Sequence, residues 1–380
     1  MTHTRYIFCL LTAIIGSIAS WANDGIYYTS GNELVPLQET NIKVSKEVLT
    51  ISLLDNHMAK VDVDYEFYNP SDSAKTMLMG FEADPSYNDN YTFYPNGVHP
   101  HIKGFSVSIN GTSLSYKNAV CELGNFKPLT TSQWKLDDEG GTSLINKTTG
   151  QCIDHFAYVY YFDATFKPGV NHVHHTYLYT MSVSVATTFE VPYKLSPAGR
   201  WAGGQIGDFT LIIRADSTAK HFYVNQKAIE GITPVVTQGT GKVRPATLTY
   251  NDDPKWEVSL RNGSVTMHTT NFSPNKEHEL YICSADVSSS YDESAPFGAF
   301  YDRSSAMALE QWSNTNHKQR LSQNFMKRIA HNLPYANRGH VFKDAKLKQY
   351  FESLWWYMPD PTYRDNTADF TKNDWQYVRF

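Results

Sequence analysis

Residues 59–68, AKVDVDYEFY, decide the fold class. Val61, Val63, Tyr65 and Phe67 alternate there with Asp62, Asp64 and Glu66. A period of two puts the apolar set on one face and the carboxylates on the other, which describes a half-buried strand. The same pattern continues outward. Residues 40–44 and 48–53 read as the strands before it. Asn69-Pro70-Ser71-Asp72 reads as a turn, with residues 76–82 running back as its partner. Asn110-Gly111, between residues 105–109 and 113–116, is the preferred two-residue hairpin turn, and Asn262-Gly263 repeats it between 256–260 and 264–267. Residues 157–166 and 172–184 are further strands around the turn Lys167-Pro168-Gly169. Residues 124–151 are polar and read as a long loop or short-helix insertion. Regular turns between Tyr-, Phe-, Val- and Thr-rich runs predict a mainly β chain, an antiparallel β-sandwich body over residues 23–287.

The last part of the chain changes period. Phe325, Ile329 and Leu333 recur at helical spacing, and Pro334 is expected to end or kink that helix. Gly339 can supply a positive φ for a tight turn. Asp344 reads as an N-cap for a helix with Leu347, Tyr350, Phe351 and Leu354 on one stripe, stopped at Met358-Pro359-Asp360-Pro361. Trp355, Trp356 and Tyr357 fall at its end. Three adjacent rings cannot share one helix face, so at least one points away from this small core. Residues 370–380 read as a final helix or strand. The resulting division is a leader at 1–22, the sandwich at 23–287, a Ser-rich linker at 288–303 and a small α-helical domain at 304–380.

Tyr335-Ala336-Asn337-Arg338-Gly339, followed by Val341-Phe342-Lys343, Leu347, Tyr350-Phe351 and Trp356-Tyr357, resembles the YARHG domain, a small extracellular bacterial module. Asn337 stands where the signature has Arg, and Arg338 where it has His. The motif positions carried over are Tyr335, Ala336, Gly339 and Phe342. The layout from residues 33–44 through 189–213 resembles the sandwich domain that precedes YARHG modules in Bacteroidetes-like envelope proteins. The resemblance implies a role at the cell surface, with peptidoglycan or another envelope glycan as partner.

Residues 1–22 read as a secretory signal peptide: Arg5, an apolar run over 6–18, then Ser20-Trp21-Ala22 before Asn23. An uncleaved signal anchor is the alternative. No later apolar run is long enough to span a bilayer, so no transmembrane segment is expected after signal removal, and the expected location is the periplasm or cell surface. The net charge of −5 divides unevenly. From Phe325 onward nine Lys and Arg face six Asp and Glu, a net +3, and setting Arg5 aside leaves about −9 on the preceding mature stretch. A basic module on an acidic body suits an anionic wall polymer, and nothing resembles a nucleic-acid footprint. Three cysteines follow the leader; Cys121 and Cys152 flank the insertion and could pair in an oxidising compartment, or all three could be buried thiols.

No catalytic residue set is found: no Gly-X-Ser-X-Gly elbow, no His-Glu-X-X-His pair, no base placed beside a cysteine. His172 and His174 share a strand face and are the metal candidates, without a third ligand at fixed spacing. No cofactor is expected. Glu190 and Asp208, with Arg200-Trp201 between them, suggest a buried Arg–carboxylate clamp or a ligand-binding corner. For ligand contact, Trp355, Trp356 and Tyr357 offer faces that stack on sugar rings, and Arg338 could pair an anion. The competing reading is that these rings roof the small core or dock it onto the sandwich. Two function classes stay open: a non-catalytic envelope binding or scaffold protein, and a wall-active hydrolase or metal-dependent enzyme using the histidines.

Overall fold

A computed structural model describes residues 31–32, 34–37, 40–54, 57–85, 93–137, 142–184, 187, 189–215, 220–246, 253–275, 277–284 and 323–379. The leader, the linker and the start of the helical domain at 304–322 lie outside the described residues. The first strands are β1 (Gly31–Asn32), β2 (Leu34–Pro36), β3 (Lys43–Leu54), β4 (Met58–Asn69), β5 (Lys75–Ala83), β6 (Ile102–Ile109), β7 (Thr112–Ser113) and β8 (Lys117–Glu122). The insertion holds β9 (Trp134–Leu136), β10 (Leu144–Asn146) and β11 (Cys152–Ile153). Then come β12 (Phe156–Phe166), β13 (Gly169–Thr180), β14 (Glu190–Lys194), β15 (Ile206–Ala215), β16 (His221–Asn225), β17 (Val235–Pro245), β18 (Lys255–Phe272) and β19 (Leu280–Cys283). Three helices close the chain: α1 (Gln323–Asn337), α2 (Ala345–Glu352) and α3 (Lys372–Val378).

The body is a β-sandwich. One layer is a large sheet in the order β1-β14-β19-β16-β18-β15-β3-β4-β13-β6-β7, with β17 also on β18; the other is β2-β5-β12-β8. Pairing is antiparallel except β1 with β14 and β3 with β15. β4 keeps the alternation that predicted it: Val61, Val63, Tyr65 and Phe67 are buried, and Asp64 is exposed. Those inward rings meet the second layer. Phe67 lies 5.5 Å from Phe166 of β12, and Phe81 of β5 lies 4.8 Å from Tyr177 of β13. A fully buried Phe contributes roughly 1.5–3 kcal/mol, so such contacts hold the layers together.

Four expectations change. The two short strands at 40–44 and 48–53 are one strand, β3, with a register shift after Val44. Residues 76–82 do not return beside β4, whose neighbours are β3 and β13; β5 crosses to the opposite layer and pairs with β12 and β2. Asn69 fixes that crossing, its side-chain amide donating to Phe166 O at 3.0 Å and Ser73 O at 3.1 Å. The insertion is more than a loop with a short helix: beside the single 3-10 turn Thr131–Gln133, β9, β10 and β11 form a small antiparallel sheet whose Trp134, Leu144 and Ile153 join the main core.

The fourth change concerns Asn262-Gly263, which is not a hairpin. It lies inside the single strand β18, and β17 runs alongside with register shifts on both sides of it. Gly263 faces Gly239 of β17, and a Cβ there would stand 1.9 Å from Gln238 O, so the backbones approach too closely for any side chain. The feature is a bulge rather than a reversal. Its place matters. β18 pairs with β16 before it, over Lys255–Ser259, and with β15 after it, over Ser264–Phe272. One bent strand thus joins the two halves of the large sheet.

Candidate functional site

The C-terminal unit packs its own core from Ile329, Ala330, Leu333, Ala336, Phe342, Leu347, Phe351, Leu354, Trp356, Tyr357 and Tyr377, separate from the sandwich core. Pro334 does not stop α1, which runs on to Asn337. The stop is the signature itself. His340 N–H donates to Tyr335 O and Gly339 N–H to Ala336 O, with Gly339 at φ 92°. This is the paired hydrogen-bond pattern of a Schellman helix end, with the glycine at C′. The Tyr-Ala-X-X-Gly spacing follows from it. Asp344 then caps α2, accepting from Lys346 N and Leu347 N. α2 ends at Glu352, so the three adjacent rings follow the helix rather than lying on it.

Arg338 is drawn inward. Nε donates to Asp369 Oδ2, Nη1 to Pro334 O and Asp374 Oδ1, and Nη2 to Asp369 O and Asp374 Oδ2, at 2.7–3.3 Å. A guanidinium has five N–H donors, so none remains for an outside anion. Its plane also lies over Phe370, 4.5 Å from the ring centre. Asp374 completes a capping box with Thr371 at the start of α3. Tyr335 packs edge-on against Phe370 at 5.0 Å, and Phe342 stacks on Phe351 at 4.5 Å. Trp356 and Tyr357 are buried in the same core, and burial pushes the Tyr357 hydroxyl up to about 12.

Trp355 is the ring that points away, and it meets the sandwich. The Arg244 guanidinium sits 4.2 Å over it, and His221 approaches edge-on at 6.1 Å. Lys242 Nζ donates to Trp355 O at 2.8 Å and Tyr357 O at 3.0 Å. Arg261, beside the β18 bulge, donates to Met358 O at 3.1 Å and pairs with Asp360 at 3.1 Å. Gly339 leaves the space: a Cβ there would stand 2.9 Å from Asp360 Cβ and 3.1 Å from Arg261 Nη1. Burial, with Arg338 nearby, lowers Lys220 to about 8 against the pull of Asp374 and Asp369. Glu257 anchors the seam from below, with Arg244 Nε on one oxygen and His221 Nε2 at 3.2 Å from the other. Burial alone would raise its carboxyl; the hydrogen bonds from His221 and Arg244 outweigh that and hold it near 2. The overall polarity is reversed locally, the acidic body supplying cations and the basic module carbonyls and Asp360.

His172 and His174 both face outward, as their spacing predicts, but they are not joined. His172 lies opposite Glu66, while His174 Nδ1 is 3.0 Å from Asp64 and 3.7 Å from Asp62. Asp62, Asp64 and His174 offer ligand atoms within 4.8 Å of one another, and Asp62 also pairs with Lys60 at 3.1 Å. His175 faces inward, fully buried and stacked on Tyr177, with neither ring nitrogen hydrogen-bonded; burial lowers it to about 3. Glu47 is likewise buried with both oxygens unbonded, which raises it to about 8. Both were legible, since each is in phase with its strand's apolar face. The Arg200 clamp forms, but with Glu82 at 3.0 Å; Glu190 accepts from Thr187 and Asp208 pairs with His268. Cys121 and Cys152 are not bridged. Cys121 is buried against Ala157 and Val159, whereas Cys152 is an exposed thiol facing Asp154.

Residues 305–379 match the YARHG domain, and residues 22–125 match a domain of unknown function, DUF4424. The chain therefore carries a C-terminal YARHG module preceded by a DUF4424 domain. No curated protein matches it. A solved structure from Legionella pneumophila, provisionally named a nutrient binding protein, aligns over 94% of this chain and 98% of its own, at TM-score 0.50 and 17% identity. At that identity the likeness concerns the fold. An M1 zinc metallopeptidase from Deinococcus radiodurans aligns over 66% of this chain and 43% of its own, at TM-score 0.27 and 8% identity, too slight to bear on chemistry. Among the described residues no helix is long and apolar enough to cross a membrane.

Proposed function

We propose that the chain is an exported, non-catalytic binding or scaffold protein of the cell envelope, and that its YARHG module contacts peptidoglycan or another wall glycan through Trp355. The observation that carries this is the placement of the four ligand candidates. Arg338, Trp356 and Tyr357 are built into the module's interior, whereas the Trp355 ring packs at the edge of that core, only partly buried, at the seam with the sandwich. An indole face is a good platform for a sugar ring. The reading draws support from the module's extracellular family and from the binding name of the Legionella fold neighbour. Co-sedimentation of the full mature chain with purified peptidoglycan tests it. Retention that drops sharply in Trp355→Ala is expected; equal retention of the two proteins would remove the role given to this ring.

The second reading, a metal-dependent enzyme, rests on Asp62, Asp64 and His174. Stoichiometric zinc on the purified protein, lost in His174→Ala, would favour it.

A further inference from the structure

The seam holds more positive charge than its structural bonds use. Lys242 and Arg244 lie two apart on β17 and so share a face, and both reach the module. Lys242 bonds only to neutral carbonyls. Arg244 has one carboxylate partner, Glu257, reached through Nε, and Glu257 shares its two oxygens among Arg244, His221 and the Tyr223 hydroxyl. Two cations therefore face one carboxylate. Among the described residues Nη1 and Nη2 of Arg244 donate no hydrogen bond, although the side chain is 36% exposed. The guanidinium is nonetheless fixed, by Glu257 on its inner edge and the Trp355 ring beneath its plane. A held guanidinium with an unused pair of nitrogens on a partly exposed side chain is suited to receive a carboxylate in two parallel hydrogen bonds.

We propose that Arg244 of the sandwich and Trp355 of the module form one composite site across the seam, which binds a carboxylate-bearing glycan: the carboxylate on the Arg244 fork, the sugar beside the indole. This rests on the glycan reading of Trp355 and adds the ligand class and the second half of the site. The site is incomplete in either unit alone, which gives the clamp of Lys242 and Arg261 a binding role besides a structural one. Lys242 adds a second positive charge to the site.

The test uses the full mature chain, with purified peptidoglycan, polygalacturonate and neutral dextran as probes. Variants are Arg244→Lys and Arg244→Gln, with Trp355→Ala beside them and thermal melting recorded for each. Arg244→Lys keeps the charge and loses the planar fork. Binding to one or both carboxylate polymers but not to dextran is expected, weakened at least tenfold by either Arg244 variant and by raised salt; Arg244→Lys keeps a cation beside Glu257 and should melt near the parent, so its loss of binding is read free of unfolding. Binding to peptidoglycan alone identifies the wall's own carboxylates, and binding to polygalacturonate alone a uronate polymer; either supports the carboxylate chemistry. Equal binding to dextran, or Arg244→Lys binding as tightly as the parent, overturns the composite site. If the parent binds and only Trp355→Ala loses it, Arg244 falls and the glycan reading stands. If the parent binds none of the three, both fall.

Discussion

In the sandwich, Glu47 and His175 are fully buried with none of their four side-chain polar atoms hydrogen-bonded, whereas in the C-terminal unit Arg338, nearly as inaccessible, has every donor engaged. The difference follows from what each group can do with its charge. A carboxylic acid can keep its proton and an imidazole can shed one, so both enter an apolar interior neutral. A guanidinium cannot, and must bring anions with it. The large core tolerates two desolvated neutral groups. The small one is organised around a compensated charge.

The largest effect expected is at that charge. Arg338→Ala leaves Asp374, buried at the start of α3, without its cation, and removal of one partner of a buried pair destabilises by about 3–5 kcal/mol. Hydrogen exchange should show residues 323–379 losing protection while the sandwich strands keep theirs. If both units loosened together, the two cores would not be separate in energy. Arg338→Lys should recover only part of the loss.

Next come the sandwich's neutral groups, where the sign depends on pH. Glu47 titrates near 8 when folded and near its ordinary value when unfolded, so its protonated form favours folding below about 4.5, and that contribution is lost as pH rises toward 8. Glu47→Gln should therefore gain on the parent across that range, by about 2–4 kcal/mol at pH 8 from urea midpoints. His175 runs the other way. Its folded value is lowered to about 3, the unfolded chain takes up the proton first, and stability falls as pH drops from about 6.5 toward 3. His175→Phe should flatten that acid limb; an unchanged limb would place the acid sensitivity elsewhere.

Two smaller tests address the seam. Lys242→Ala removes two charge-assisted bonds to carbonyls and should weaken docking by about 1.5–3 kcal/mol, seen as faster exchange at the seam with both cores intact. Gly339→Ala forces an ordinary residue to φ 92° and crowds Asp360 and Arg261, for about 1–2 kcal/mol. Its effect should shrink in an Arg261→Ala background, because part of it is the crowding of that guanidinium.

Much of this was legible along the chain. Strict alternation predicted β4 and the shared face of His172 and His174 on β13, and the Asp344 cap with its apolar stripe predicted α2. What alternation cannot carry is which strand lies beside which. Asn69-Pro70-Ser71-Asp72 looks the same whether the chain returns in its own sheet or crosses to the facing one, and only the Asn69 bonds to Phe166 and Ser73 decide. Asn262-Gly263 has the composition of a hairpin turn; Gly239, more than twenty residues away, makes it a bulge. At the seam, three adjacent rings implied that one must leave the module core, yet nothing local named Trp355 or its partner Arg244. That pairing is set by the path of β17.

The bend in β18 also bears on the order of assembly. Residues 255–272 join two half-sheets, and Arg261 lies between the stretch paired with β16 and the stretch paired with β15. The module's contacts to Arg261 thus sit at the junction of both pairings, so its attachment depends on the register of β18. A β18 out of register is therefore expected to leave the C-terminal helices more open to proteases, which limited proteolysis would show.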